Sequence, residues 1–366
     1  MNRLGIYVVY DREKNVHSYI ENVLEELKKY VTSLIVVCNF DKIEKGLEYI
    51  QPYADQIVYR ENRGYDAGAY KDVLSGFEPM VFKGYDELLL TNDTYFGPIY
   101  PFSTMFSRMD AYECDFWGIT RHPSGEMSDG VKYDSHIQSY FLNFKKKVLH
   151  SDDFTSFWLN LLYPTTFQEA VQKFELGINH FLREKGYKGA AYMDLHVPNF
   201  PLKESENPYY THSLELVRDM EIPIIKKKIF DLGNPGYINA LQAISYLEEN
   251  RIPNVKYIDE WRINSPFSYQ EVKRFVDSHE KIYIYGKGMW GRNLAELFRQ
   301  QEWEFEDFLI TEKRENEDGC IFSEKILSER DGIIIAIGDE TIVEEIYRNI
   351  LSVYEPGQVL KSNMNQ

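Results

Sequence analysis

At 366 residues, 43% hydrophobic and 15% aromatic, the chain has room for two domains of about 150 residues each and is too apolar to be a disordered protein. Its 58 acidic residues against 41 basic ones leave a net charge of −17, which repels nucleic acid and anionic lipid, so any anionic ligand must be held by local donors or by a metal ion. Three widely spaced cysteines, Cys38, Cys114 and Cys320, exclude a disulfide framework and a cysteine-based metal site and point to a reducing compartment.

Residues 4–10 form a short apolar run that ends at Asp11, and with this run so near Met1 no cleavable leader is expected. No apolar run approaches the roughly 20 residues of a membrane span. The expectation is a cytoplasmic protein, at most peripheral at the inner face of the cell membrane. Val16, Ile20, Val23, Leu24 and Leu27 then recur at helical spacing, residues 33–38 (SLIVVC) are β-branched, Ile43, Leu47 and Ile50 mark a second helix, and residues 56–59 a third strand. This alternation predicts a parallel α/β sheet with right-handed crossovers.

Two loops follow. In the first, Asn62, Gly64 and Gly68 surround Asp66, so the backbone can turn tightly and approach a ligand; the segment runs on through a helix that includes Tyr70. In the second, Leu88, Leu89 and Leu90 lead into Thr91, Asn92, Asp93, Thr94 and then Gly97 and Pro98. A buried parallel strand that ends on a carboxylate puts that acid at the carboxyl edge of the sheet, where open α/β folds bind ligands. Either loop alone also reads as an ordinary strand-to-helix turn.

Farther on, residues 115–120 and 138–144 read as strands flanking a polar loop with Pro123, Gly125 and Gly130, and residues 154–162 and 166–185 as helices. Residues 188–193 read as a short strand, while 198–223 show no clear period. After a helix at 241–249 the pattern restarts: a strand at 281–285, then Gly286, Gly288 and Gly291 in a G-x-G-x-x-G turn, a helix, and further strands near 305–310 and 332–337. Glu312 lies 21 positions beyond Gly291, about where a dinucleotide fold places a ribose-binding acid. The unit reads as too short for two mononucleotide halves, and Trp290 inside the turn obstructs a ligand, so it is expected to be a nucleotide-binding or docking module or a purely structural one. The boundary falls near residue 268, giving domains 1–267 and 268–366.

The runs ENRGYDAGAYKDVL, ELLLTNDTYFGPIYPF, DFWGIT, HIQSYFLNFKKKVL, DDFTSFW and IPIIKKK resemble the rhamnan synthesis protein F family of bacterial polysaccharide glycosyltransferases over about residues 1–262. The resemblance implies an A-type glycosyltransferase fold, a nucleotide-sugar donor, commonly dTDP-L-rhamnose, and a rhamnose-containing glycan or its lipid-linked precursor as acceptor. With it come the nucleotide-sugar-binding Rossmann-like domain as fold class and other polysaccharide-assembly enzymes as partners. Sugar transfer releases a nucleoside diphosphate, whose charge Mg2+ or Mn2+ on a strand-end carboxylate neutralises. Many A-type enzymes carry Asp-x-Asp here; this chain has Thr91, Asn92, Asp93, leaving Asp93 as the expected catalytic and metal-binding acid, or else a turn acid.

Asn92, Asn62, Gly64, Asp66, Tyr70 and Lys226 are the expected donor contacts, with Asp66 alternatively a helix cap. Asp11 is expected at the nucleoside or as a cap. An inverting transfer needs a general base; the resemblance selects Glu175, with an ordinary helix glutamate as the alternative. His136 and Gln138 are expected at the acceptor or diphosphate, or as structural groups, and Trp117 and Trp158 in the core. Two other functions remain open: a noncatalytic assembly protein, and an NAD(P)-dependent oxidoreductase centred on residues 281–312, although NAD(P) is not the expected cofactor.

Overall fold

Strand β1 (Arg3–Val9) is buried along its whole length, and so is β4 (Glu87–Asn92), because each has sheet on both sides and helices on both faces. The computed structural model describes residues 1–76, 82–127, 130–197, 200–252, 258, 269–312 and 319–361. Between β1 and β4 in the chain come β2 (Ser33–Cys38) and β3 (Gln56–Tyr59), and β4 is followed by β5 (Tyr95–Phe96) and β6 (Phe116–Gly118). Short strands β7 (Arg121–His122), β8 (Gly125–Glu126), β9 (Lys132–Tyr133) and β10 (His136–Ile137) precede β11 (Phe141–Lys145), β12 (Gly189–Ala191) and β13 (Ile225–Lys226). Among the described residues the main sheet runs β12-β6-β11-β4-β1-β2-β3. Strands β4, β1, β2 and β3 are parallel, and β11 runs antiparallel to both β4 and β6. This is a mixed, parallel-rich sheet in an α/β fold, as the strand-helix alternation predicts.

Register puts Ile6 beside Ile35 and Leu90, so β-branched and leucine side chains stack in rows across the sheet. One face packs Leu4, Ile6, Val8, Leu88 and Leu90 against Ala67, Tyr70 and Leu74 of the helix Tyr65–Gly76 and against Phe154 and Trp158. Trp117 and Trp158 are buried, which bears out core packing for both. Several local expectations differ. The helix expected around Ile43–Ile50 is a single 3-10 turn, Leu47–Tyr49, and the polar loop after β6 is organised as two small antiparallel ladders, β7 with β10 and β8 with β9. A two-residue ladder carries too little periodicity to be read from sequence.

By packing, the chain divides into two compact units, one built on Met1–Lys226 and a second that begins with Lys227–Arg251. The boundary expected near residue 268 lies outside the described residues. The helix Tyr237–Glu249 contributes Tyr237 and Leu241 to the core of the second unit. That unit holds a five-stranded parallel sheet formed by β14 (Lys281–Tyr285), β15 (Asp307–Ile310), β16 (Cys320–Ile321), β17 (Asp331–Ile335) and β18 (Val359–Lys361). Their order is β16-β15-β14-β17-β18. Counted within the unit this is 3-2-1-4-5, the doubly wound order with its switch point between β14 and β17. Ile282 and Ile284 face one helical layer, Tyr283 and Tyr285 the other, so both faces are covered. The unit therefore exceeds one mononucleotide half. Its short outer strands β16 and β18 escape a reading based on apolar runs. Among the described residues no helix is long and apolar enough to cross a membrane.

Candidate active site

The parallel sheet reverses its order at β1 and β4, so the crevice beyond their carboxyl ends is the natural ligand edge of the first unit. Asp11 follows β1 and Asp93 follows β4. Asp93 continues the ladder, its N–H donating to the Val8 carbonyl at 3.0 Å, and the residue is 6% exposed. It hydrogen-bonds the Tyr19 hydroxyl, whose pKa burial raises first and the negative charge of Asp93 raises further. Tyr7 and Tyr70 are fully buried beside it, each raised chiefly by burial, and neither hydroxyl has a hydrogen-bond partner. An orphaned buried hydroxyl costs about 1–3 kcal/mol, and two of them next to one carboxylate mark this crevice as built for more than packing.

The two loops expected to act together do meet. Asn92 Nδ2 donates to Asp66 Oδ2 at 2.6 Å, and Asn92 Oδ1 accepts from the Thr94 hydroxyl at 2.7 Å and from the Thr94 N–H at 3.2 Å. Lys226 Nζ then donates to Thr94 Oγ1 at 2.6 Å and lies 4.1 Å from the centre of the Tyr140 ring. The result is a continuous chain Lys226–Thr94–Asn92–Asp66 across the crevice. Lys226 reaches it because β13 pairs antiparallel with β5, setting Lys226 opposite Tyr95, and because Ile99 N–H donates to the Pro223 carbonyl at 2.7 Å.

The first loop turns as its glycines require. Gly64 has φ +80° and Tyr65 φ 55°, and a Cβ on Gly68 would come within 2.1 Å of the Arg63 carbonyl. Asp66 sits in the first turn of the helix that follows, bonded to Asn92 across the crevice. Asn62 is exposed, whereas Tyr70 is 0% exposed and belongs to the core. Asp11 caps no helix. Its Oδ1 accepts the N–H groups of Glu13 and Asn15, both at 3.0 Å, and Oδ2 meets His17 Nε2 at 3.2 Å. Burial raises its pKa, but the His17 and backbone hydrogen bonds outweigh that and lower it.

Glu175 lies in a π-helical stretch, Val171–Leu176, that joins the helical segments Phe167–Ala170 and Gly177–Glu184. Such a widened turn inserts one residue and is found frequently at functional sites. Here Asn179 Nδ2 donates to the Glu175 carbonyl, while the same side chain pairs with both the N–H and the carbonyl of Ile137 at 2.9 Å, docking the turn on β10. Glu175 Oε1 meets His136 Nε2 at 3.2 Å, and Oε2 accepts from the Ser139 N–H at 2.7 Å and the Ser139 hydroxyl at 2.6 Å. Burial acts to raise the Glu175 pKa, but the His136 hydrogen bond and charge, then Ser139, hold it at about 2. The side chain keeps 18% exposure. His136 also meets the Asp134 carbonyl through Nδ1 and stacks on His122, rings 5.2 Å apart and 17° from parallel. The His122 pKa is lowered, by burial first and by His136 as well. Gln138 is a brace, its Oε1 accepting from Thr120 at 2.7 Å.

Segment Gln138–Tyr140 ties the two halves together: Ser139 holds Glu175, while the next residue, Tyr140, lies under Lys226 and accepts from Thr91 through its carbonyl at 2.9 Å. Thr94, Ser139 and Tyr140 are the residues that sequence reasoning missed; all three lie inside runs that carry the family resemblance, but hydroxyls have no spacing signature of their own. In the second unit, Gly286 has φ +104° and ends β14, Gly288 caps the helix Met289–Gln300, and a Cβ on Gly291 would lie 1.9 Å from the Gly286 carbonyl. The Trp290 indole lies against Gly338 beyond β17, within the switch-point crevice, and Glu312 is exposed beyond β15.

Fold and crevice together define a mixed α/β protein with a polar ligand edge at the switch point of its parallel-rich sheet. The chain belongs to the rhamnan synthesis protein F family, whose model matches residues 34–283. It is 22% identical over 184 residues to the uncharacterized protein y4gN of Sinorhizobium fredii, a match that covers 50% of this chain and 46% of that protein, so the chain spans just under half the length of this curated relative. Among solved structures it is similar to S. aureus TarS 1–349, with 12% identity, 84% of this chain and 94% of that chain covered, and a TM-score of 0.30. It is also similar to 4-diphosphocytidyl-2C-methyl-D-erythritol synthase of Anaerococcus prevotii, with 12% identity, 52% and 87% coverage and a TM-score of 0.33. At such scores neither likeness bears on what this chain does.

Proposed function

We propose that the chain is an inverting glycosyltransferase that moves a deoxyhexose, L-rhamnose from dTDP-L-rhamnose, onto a bacterial cell-surface polysaccharide or its lipid-linked precursor. The observation that carries the reading is the chain Lys226–Thr94–Asn92–Asp66 beside Asp93 at the sheet's switch point, a polar crevice over two orphaned tyrosine hydroxyls. Family membership supports the sugar. In this reading Asp11, Asn62, Gly64, Asp66 and Asn92 line the donor's nucleoside and sugar, with Tyr70 beneath them, and Asp93 and Lys226 face the diphosphate.

Glu175 accepts the acceptor proton, with His136 and Gln138 shaping the acceptor side. A carboxylate held at about 2 is a weak base; it takes the proton only as the new carbon–oxygen bond forms and the hydroxyl turns acidic. Enzyme and lipid-linked acceptor would meet at the inner face of the cell membrane, alongside other assembly enzymes. Mg2+ or Mn2+, expected from the fold family, would rest on Asp93. The neighbouring donors fit such an ion poorly, because Asn92 turns its amide toward Asp66 and its carbonyl oxygen toward Thr94. Among the described residues no group of three or more His, Cys, Asp or Glu side chains could hold a metal. No step is therefore assigned to a metal.

The test is a thermal-shift screen against nucleotide sugars followed by donor consumption with Asp93→Ala. A melting-temperature rise with dTDP-L-rhamnose and loss of turnover in a folded Asp93→Ala protein are expected; full activity in that variant removes Asp93 from the site. A second reading concerns residues 268–366, as a nucleotide-binding or docking domain through Gly286, Gly288, Gly291 and Glu312. It is favoured by the doubly wound strand order, with the glycine turn at its switch point. A melting shift with NAD(P) accompanied by its turnover would favour an oxidoreductase instead.

A further inference from the structure

We infer that Lys226, rather than a divalent metal ion, supplies the positive charge that receives the departing diphosphate, an inference that rests on the donor site proposed above. An A-type Asp-x-Asp metal site needs a first carboxylate two positions ahead of Asp93, and Thr91 stands there, its hydroxyl donating to the Tyr140 carbonyl at 2.9 Å, with Asn92 in the middle position. The Asn92 side chain is committed on both ends, its N–H to Asp66 and its oxygen to Thr94, so it offers a cation no lone pair in this arrangement and draws one oxygen of Asp66 away as well. Magnesium tolerates few protein carboxylates but demands near-octahedral oxygen ligands.

A cation is already fixed in the same loop. Lys226 Nζ bonds Thr94, the residue after Asp93, and packs over the Tyr140 ring, a partly buried cation–π contact that holds the ammonium in place. The β13–β5 ladder anchors its backbone. A divalent ion on Asp93 would share this loop with an ammonium and be repelled by it. In a chain of net charge −17 a positioned lysine is also the kind of local donor an anionic ligand requires.

The step balances without a metal. The acceptor hydroxyl oxygen bonds the anomeric carbon, and the bond from that carbon to the diphosphate oxygen breaks with its electron pair left on the diphosphate. The hydroxyl proton passes to Glu175. Lys226 stays protonated and donates a charge-assisted hydrogen bond to the departing oxygen.

The experiment measures dTDP binding by titration calorimetry to the full chain, in excess Mg2+ or Mn2+ and in EDTA, for wild type, Lys226→Ala and Lys226→Arg, with melting curves for each. Expected are wild-type affinities that agree within about twofold across all conditions, a loss of about tenfold or more in Lys226→Ala, and retention of most affinity in Lys226→Arg. Wild-type binding that needs metal and vanishes in EDTA overturns the inference and leaves the donor site standing, as does a folded Lys226→Ala protein with wild-type affinity in EDTA. No dTDP binding by wild type under any condition overturns the donor site and the inference together. The chelator comparison uses the wild-type chain and so holds even where a variant does not fold.

Discussion

Glu175 is a carboxylate held in its charged form by its neighbours, and its linkage to stability follows from that. Its folded pKa of about 2 lies below the usual 4.5 for a glutamate, so the stabilisation is complete above the unfolded value and is lost as pH falls through the folded one. Glu175→Gln is expected to lower stability at pH 7 by on the order of 2–3 kcal/mol. The gap from wild type should close between about pH 4.5 and 2 in urea titrations; a gap independent of pH would mean the carboxylate is not held this way. At Asn92 the argument is one of like charge. An aspartate there would set two carboxylates at the 2.6 Å separation now bridged by a hydrogen bond, and such a pair cannot both ionise without a cation. Asn92→Asp should melt lower in EDTA and recover with Mn2+, a response expected to be absent from wild type.

At the scale of elements, the glycines of each turn have different tasks. In the first unit the helix Tyr65–Gly76 starts against the Arg63 carbonyl, and only a glycine at 68 fits beneath it. Gly68→Ala should force the turn open, cost about 1–3 kcal/mol and weaken nucleotide binding by displacing Asp66 from Asn92. In the second unit Gly291 faces the same restriction against Gly286, whereas a Cβ on Gly288 meets nothing within 4 Å. Gly291→Ala is expected to destabilise by a similar amount and Gly288→Ala by less than about 0.5 kcal/mol, measured by chemical denaturation. Equal effects would show that the turn does not pack as described. The helix carrying Glu175 is the other instructive element: its apolar spacing was legible as one continuous helix, but the π-helical stretch that turns Glu175 toward Ser139 was not, because it depends on Asn179 docking to β10.

Across the whole molecule, protection should follow burial. Strands β1, β2 and β4 have sheet on both sides and lie almost wholly out of solvent, while β3 is an edge strand with exposed ends. Native-state hydrogen exchange is expected to be slowest at Ile6, Val36 and Leu89 and markedly faster along β3; uniform protection across the sheet would contradict the edge assignment. The sequence by itself determined the parallel alternation, both glycine turns, the strand-end position of Asp93 and the core placement of both tryptophans, because apolar periodicity and turn chemistry are local and the hydrophobic run of a buried strand announces itself. Only the tertiary structure decided that Asn92 faces Asp66, that Lys226 reaches the same loop through β13, and that Glu175 is saturated by Ser139 and His136. It alone also completed the five-strand order of the second unit. Those features join residues tens to more than a hundred positions apart through single hydrogen bonds and two-residue ladders, and contacts of that kind leave no period in a chain for a reader to find.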